Sequence, residues 1–105
     1  MGMTTIENAD ALVTVEPGAR TSQMVLSGDG ARVVVFAFDT GTALTEHRAP
    51  GPILVQALAG HLTFIAEGVT TDLRPGGVIH LDAGIPHAVH ALEPSKMLLT
   101  LIRKD

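Results

Sequence analysis

"GGVIHLDAGIPHAVHAL", residues 76–92, is the stretch that decides how this chain folds. A glycine pair feeds a short apolar run from Val78 to Leu81, Asp82-Ala83-Gly84 makes a tight turn, and Pro86-His87 opens a second run. Neither run is long enough for a helix, and turn-forming residues bound both. The stretch therefore reads as two strands joined by a tight connection.

Outward from there the same pattern repeats. Apolar runs at residues 12–15, 23–26, 32–38, 53–58, 62–66, 69–73, 78–81, 87–92 and 97–102 are candidate strands. Between them lie Asp29-Gly30, Glu67-Gly68, Pro75-Gly76-Gly77, Ala83-Gly84 and Glu93-Pro94, the residues that tight hairpins use. Nine short strands in 105 residues leave no room for helices between most of them. An all-β sandwich or closed barrel with antiparallel pairing follows. The length suits one domain, residues 1–105, with a core over about 12–103 and an N-terminal segment 1–11 that is flexible or swapped between copies.

Composition excludes several function classes. A net charge of −4 with no basic run lacks the electrostatic footprint for nucleic acid or an anionic membrane. No apolar stretch approaches the roughly 20 residues of a membrane-spanning helix. With no cysteine there are no disulfides, thiolate metal sites or thiol nucleophile, which fits a cytoplasmic protein. The serines lie in no Gly-x-Ser-x-Gly turn and there is no phosphate-binding glycine loop, so hydrolase and nucleotide-binding readings have no support.

Several runs, notably Val33-Val34-Val35-Phe36, Ile53-Leu54-Val55 and Met97-Leu98-Leu99, are apolar at both parities, so both faces of those strands want cover. We expect a homodimer that buries an outer sheet face. The alternative is an N-terminal segment folded over that face.

Two segments carry candidate chemistry. The first runs from Gly41 through His47 to Gly60 and the second from Gly76 through His87. Together they resemble the cupin superfamily. The family's first motif is Gly, five residues, His, one residue, His, three or four residues, Glu, six residues, Gly; here Gly41, His47 and Gly60 match. Its second is Gly, five residues, Pro, one residue, Gly, two residues, His, three residues, Asn; Gly76, Gly84 and His87 match, while Asp82 replaces the proline and Ala91 the asparagine. The resemblance covers about half the chain and implies a cupin-type antiparallel β-barrel, or double-stranded jelly roll.

The resemblance also implies a metal held by three histidines and a glutamate, and there the match breaks. Ala49 stands where the second histidine belongs and Ile53 where the glutamate belongs, leaving His47 and His87. Catalytic zinc usually has three protein ligands, and open iron sites two histidines plus a carboxylate, so this pair is an incomplete set. By strand alternation Gln56 faces away from Ile53 and Val55, Glu46 faces away from His47, and His90 has the opposite parity to His87. His80 and His90 read as outer-face or interface residues, and His61, after Gly60, as an exposed turn residue.

Three readings stand. In the first, the resemblance implies a lumen lined by Val55, Ala57, Phe64 and Val89, with His47 and His87 orienting an anionic or carbonyl small molecule. In the second, the same histidines hold Fe, Mn, Ni or Zn in a metal-dependent oxygenase or isomerase. In the third, the chain is a non-catalytic dimeric interaction module.

Overall fold

The computed structural model describes residues 2–103, and they form two antiparallel sheets. The strands are β1 (Arg20–Gly28), β2 (Ala31–Phe38), β3 (Ala43–His47), β4 (Ile53–Ala59), β5 (Leu62–Ala66), β6 (Val69–Leu73), β7 (Val78–Leu81), β8 (His87–Ala91) and β9 (Ser95–Ile102). One sheet has the order β1-β2-β9-β4-β7 and the other β3-β8-β5-β6. This is the all-β sandwich expected from the strand spacing and the jelly roll that the resemblance implies. No helix among the described residues is long and apolar enough to cross a membrane.

The period-two alternation of each strand decides what lies between the sheets. Ile53, Val55 and Ala57 of β4 are buried together, as are Leu62 and Phe64 of β5 and Met97 and Leu99 of β9. Phe36 and Phe38 of β2 join them, their rings stacked with centroids 5.8 Å apart. Each of these side chains other than Ala57 contributes about 1.5–3 kcal/mol by leaving water. The core is mostly aliphatic, as three phenylalanines and no other aromatics require.

Two assignments differ from the sequence expectation. Residues 12–15 do not form a strand: a short 3-10 helix, Ala9–Leu12, is followed by extended chain. Conversely, Ala43–His47 is a strand that apolarity alone does not reveal, because Thr45, Glu46 and His47 are exposed and polar. Its partner β8 supplies the ladder that holds it extended.

The N-terminal segment explains why β2 is apolar at both parities. Val13 packs with Val35 and Ala37 on the outer side of the five-stranded sheet, and Ala9, Val15, Val33 and Leu58 surround them. Lys96 fastens the segment there: its Nζ donates to the Asp10 carbonyl at 2.7 Å and lies 3.4 Å from the Asp10 carboxylate. Part of the face assigned to a dimer partner is thus covered within the chain, as the alternative held. Leu54 and Leu98 stay half-buried on that face, and Val78 is 60% exposed.

One end of the sandwich is closed by turn-on-turn packing around Gly60. At φ +81° Gly60 lies in the left-handed region, and a β-carbon there would collide with the Pro94 carbonyl and the Ser95 backbone. The next residue, His61, donates its backbone N–H to Ser95 Oγ at 3.0 Å, and that hydroxyl donates to the Glu93 carbonyl at 2.7 Å. Ser95 is fully buried and its hydroxyl is satisfied, and among the described residues no buried side-chain polar atom lacks a partner.

Candidate functional site: a histidine pair

The opposite end of the sandwich carries the histidines. His47 closes β3 and His87 opens β8, and the two residues are cross-strand partners. A local irregularity makes this so. Leu44 pairs with Val89 and His47 with His87, so β3 spends three steps where β8 spends two. This is a β-bulge, and it changes parity. Leu44 packs against the core, and by strict alternation His47 would face the other way. The extra residue turns His47 back toward His87.

The imidazoles touch, with ring centroids 4.3 Å apart and planes tilted by 59°. Each Nδ1 lies 2.9 Å from the carbonyl two residues earlier, Thr45 for His47 and Ile85 for His87. A carbonyl oxygen only accepts, so both Nδ1 atoms carry the proton. In the neutral rings this makes both Nε2 atoms lone-pair acceptors. Among the described residues neither Nε2 has a hydrogen-bond partner, and no buried polar side-chain atom is left without one, so the Nε2 of buried His87 reaches solvent.

His87 is held more firmly than His47. It is 3% exposed and stacks on Phe64, ring centroids 5.5 Å apart and planes within 14°. Burial pushes its pKa below the ordinary imidazole value; the Ile85 carbonyl works in the opposite direction, and the nearby His47 adds to the depression. His47 is exposed, so the pair joins a fixed imidazole to an accessible one.

The residues around the pair do not fit a resident metal. Ala49 and Ile53 both belong to the apolar cluster, Ile53 at 1% exposure, so hydrocarbon fills the positions where further ligands would have to stand. Among the described residues no group of three or more His, Cys, Asp or Glu could hold a metal ion. Two neutral imidazoles without a carboxylate lack the charge and the coordination number of a stable site.

Of the expected lining residues, Val55, Ala57, Phe64 and Val89 are at most 5% exposed and pack in the core. Of these, Phe64 stacks on His87. His80 and His90 are exposed, as parity suggests, and His80 lies 3.9 Å from Asp82. His61 departs from expectation: its side chain is 17% exposed, Nε2 lies 2.7 Å from the Asp72 carboxylate, and Arg74 lies 3.5 Å from Nδ1. Neighbouring strand β6 supplies Asp72, a partner that a hairpin turn read from sequence does not display.

The two antiparallel sheets form the jelly roll of a cupin, with His47 and His87 on the adjoining strands β3 and β8. Residues 34–102 match the family model described as cupin domain, and the chain belongs to that family. Solved structures resemble it along most of its length. A cupin superfamily protein from Desulfitobacterium hafniense superposes with a TM-score of 0.84 at 22% identity, over 90% of this chain and 86% of that one. A conserved protein of unknown function from Streptococcus pyogenes gives 0.81 at 27% identity over 100% and 99% of the two chains. A cupin 2 conserved barrel domain protein from Leptotrichia buccalis gives 0.82 at 31% identity, over 89% of this chain and 45% of its own. No curated protein sequence matches the chain.

Proposed function

We propose that this cupin binds a small hydroxyl-bearing molecule at its histidine pair, without a resident metal. The observation that carries the reading is the tautomer. Both Nδ1 protons are committed to backbone carbonyls, so the pair offers two adjacent acceptors at Nε2. Such a pair complements a hydrogen-bond donor such as a hydroxyl or an ammonium.

This alters the ligand class expected from sequence. An anionic or carbonyl ligand requires an N–H at Nε2, which exists only in the imidazolium form. Burial disfavours that form at His87, and the second imidazole beside it disfavours it further. A hydroxyl needs no such protonation. It can donate to His87 while His47, at the surface, meets a second donor or water.

The test is a ring-nitrogen NMR titration with a panel of polyols and monosaccharides against size-matched carboxylates. A polyol or sugar should move the Nε2 resonances of both histidines and raise the melting temperature, and both effects should vanish in His47→Ala/His87→Ala. A response to carboxylates alone would reject the proposal.

A further inference from the structure

At the same end of the sandwich a cleft of about 320 Å³ lies between the 50–52 connection and the ends of β2 and β9. Its volume falls at the lower end of the range of about 300–1,000 Å³ for small-molecule sites. Pro50, Pro52, Leu101 and Ile102 give it apolar walls, and Arg32 and Arg103 supply its charge. We propose that this cleft binds a small organic carboxylate with an apolar body.

The fold explains how Arg32 comes to line it. Even-numbered positions of β2 face the space between the sheets, where Phe36 and Phe38 are buried and Val34 packs against them. Arg32 is the next position of that parity, cross-strand from Leu101, at the point where the core gives way to solvent. An arginine there lays its stem on hydrocarbon and keeps the guanidinium at the rim. Arg103 follows directly on β9, with its backbone N–H donating to the Gly30 carbonyl at 2.7 Å.

Charge favours an anion here. The chain has 11 acidic residues against 7 Lys and Arg. Yet the ion pairs of the described residues are His61–Asp72, His80–Asp82 and Lys96–Asp10, and neither Arg32 nor Arg103 takes part in them. Two guanidiniums with no intrachain carboxylate among the described residues line one cleft. Guanidinium binds carboxylate through paired N–H donors, which gives direction as well as charge.

The wall is preformed. Two prolines restrict the connection, and the residue between them must be glycine, because a β-carbon at Gly51 would collide with the Ile102 carbonyl oxygen. The Ile102 N–H donates to the Pro52 carbonyl at 3.0 Å, so the backbone on both sides is already paired. Little ordering remains to oppose binding. The apolar walls select the ligand: a bare inorganic anion leaves them wet, whereas an aromatic or branched carboxylate covers them.

Benzoate is a suitable probe, with benzamide as its uncharged isostere and inorganic phosphate as an anion lacking an apolar body. In amide NMR of the full chain, benzoate should shift Ala31, Arg32, Gly51, Leu101 and Ile102 in a saturable way. Benzamide and phosphate should bind about tenfold more weakly or less, and Arg32→Gln and Arg103→Gln should each weaken benzoate by about fivefold to tenfold. The His47→Ala/His87→Ala variant should bind benzoate as the wild type does, which separates this cleft from the histidine pair. Shifts centred elsewhere, equal binding of benzamide or phosphate, or unchanged affinity in the arginine variants would overturn the proposal.

Discussion

The imidazole of His47 lies against that of His87, ring centroids 4.3 Å apart, because a bulge in β3 turns His47 toward its cross-strand partner. Groups that share a ligand are energetically coupled. For a polyol or sugar that binds the pair, His47→Ala and His87→Ala should each reduce affinity by about tenfold, and the double variant by well under a hundredfold. Calorimetric titration of the three variants checks this. Additive losses would mean that the two rings act on separate ligands.

The bulge itself is testable. Deleting Glu46 would remove the extra residue of β3 and restore strict alternation, leaving the histidine two positions after Leu44, on the same face and still opposite His87. Because Glu46 is exposed, the fold should survive, with a loss of about 1 kcal/mol or less. Binding at the pair should persist, and the circular dichroism spectrum should stay β-rich. Loss of binding would show that facing, set by register, is not what aims the ring.

Stability should depend on pH through His87. Its folded pKa lies below the ordinary value of 6.5, chiefly because burial penalises the charged ring. Above about pH 6.5 the folded and unfolded chains both hold it neutral. As pH falls through 6.5 the unfolded chain takes up a proton that the folded chain refuses, so stability declines until the lowered folded value is reached. The urea midpoint should therefore drop between about pH 7.5 and 5.5, and drop less in His87→Gln. An equal drop in both proteins would assign the effect to other groups.

Hydrocarbon at Ala49 and Ile53 makes the metal question testable by construction. The wild type should show no rise in melting temperature with equimolar Zn, Ni or Mn, whereas Ala49→His/Ile53→Glu should acquire near-stoichiometric metal on elemental analysis. Stoichiometric metal on the wild type would instead support the metal-dependent enzyme reading.

The N-terminal segment and the remaining outer face make separate predictions. Val13→Asp places a charge against Val35 and Ala37 and should cost about 2–4 kcal/mol, with hydrogen exchange rising at Ala9–Leu12. On the uncovered part of the face, Val78, Gln56 and Leu98 form one cross-strand row, and we expect a second copy of the chain to cover it. Light scattering should give twice the chain mass of 10.9 kDa, falling to the single value in Val78→Lys/Leu98→Lys. A wild-type monomer at micromolar concentration would mean that no second copy covers this row.

The amino-acid sequence determined what depends on neighbours along the chain. Alternation in β4, β5, β8 and β9 and the turn residues between them fix where strands run and which side chains face inward, since a strand's parity is local. The resemblance of the two segments to the cupin motifs likewise implied that His47 and His87 share a site. Tertiary structure decided the rest. The β3 ladder, the bulge that restores His47 to the inner face and the covering of β2 by Val13 arise only from cross-strand register and packing. Nor could the tautomer of the pair be read from residue types, because its hydrogen-bond partners are backbone carbonyls, which every residue has. The cleft joins residues 32, 50–52 and 103, which only the meeting of β2, β4 and β9 brings together. Local chemistry places strands and parities; long-range pairing decides which side chains meet.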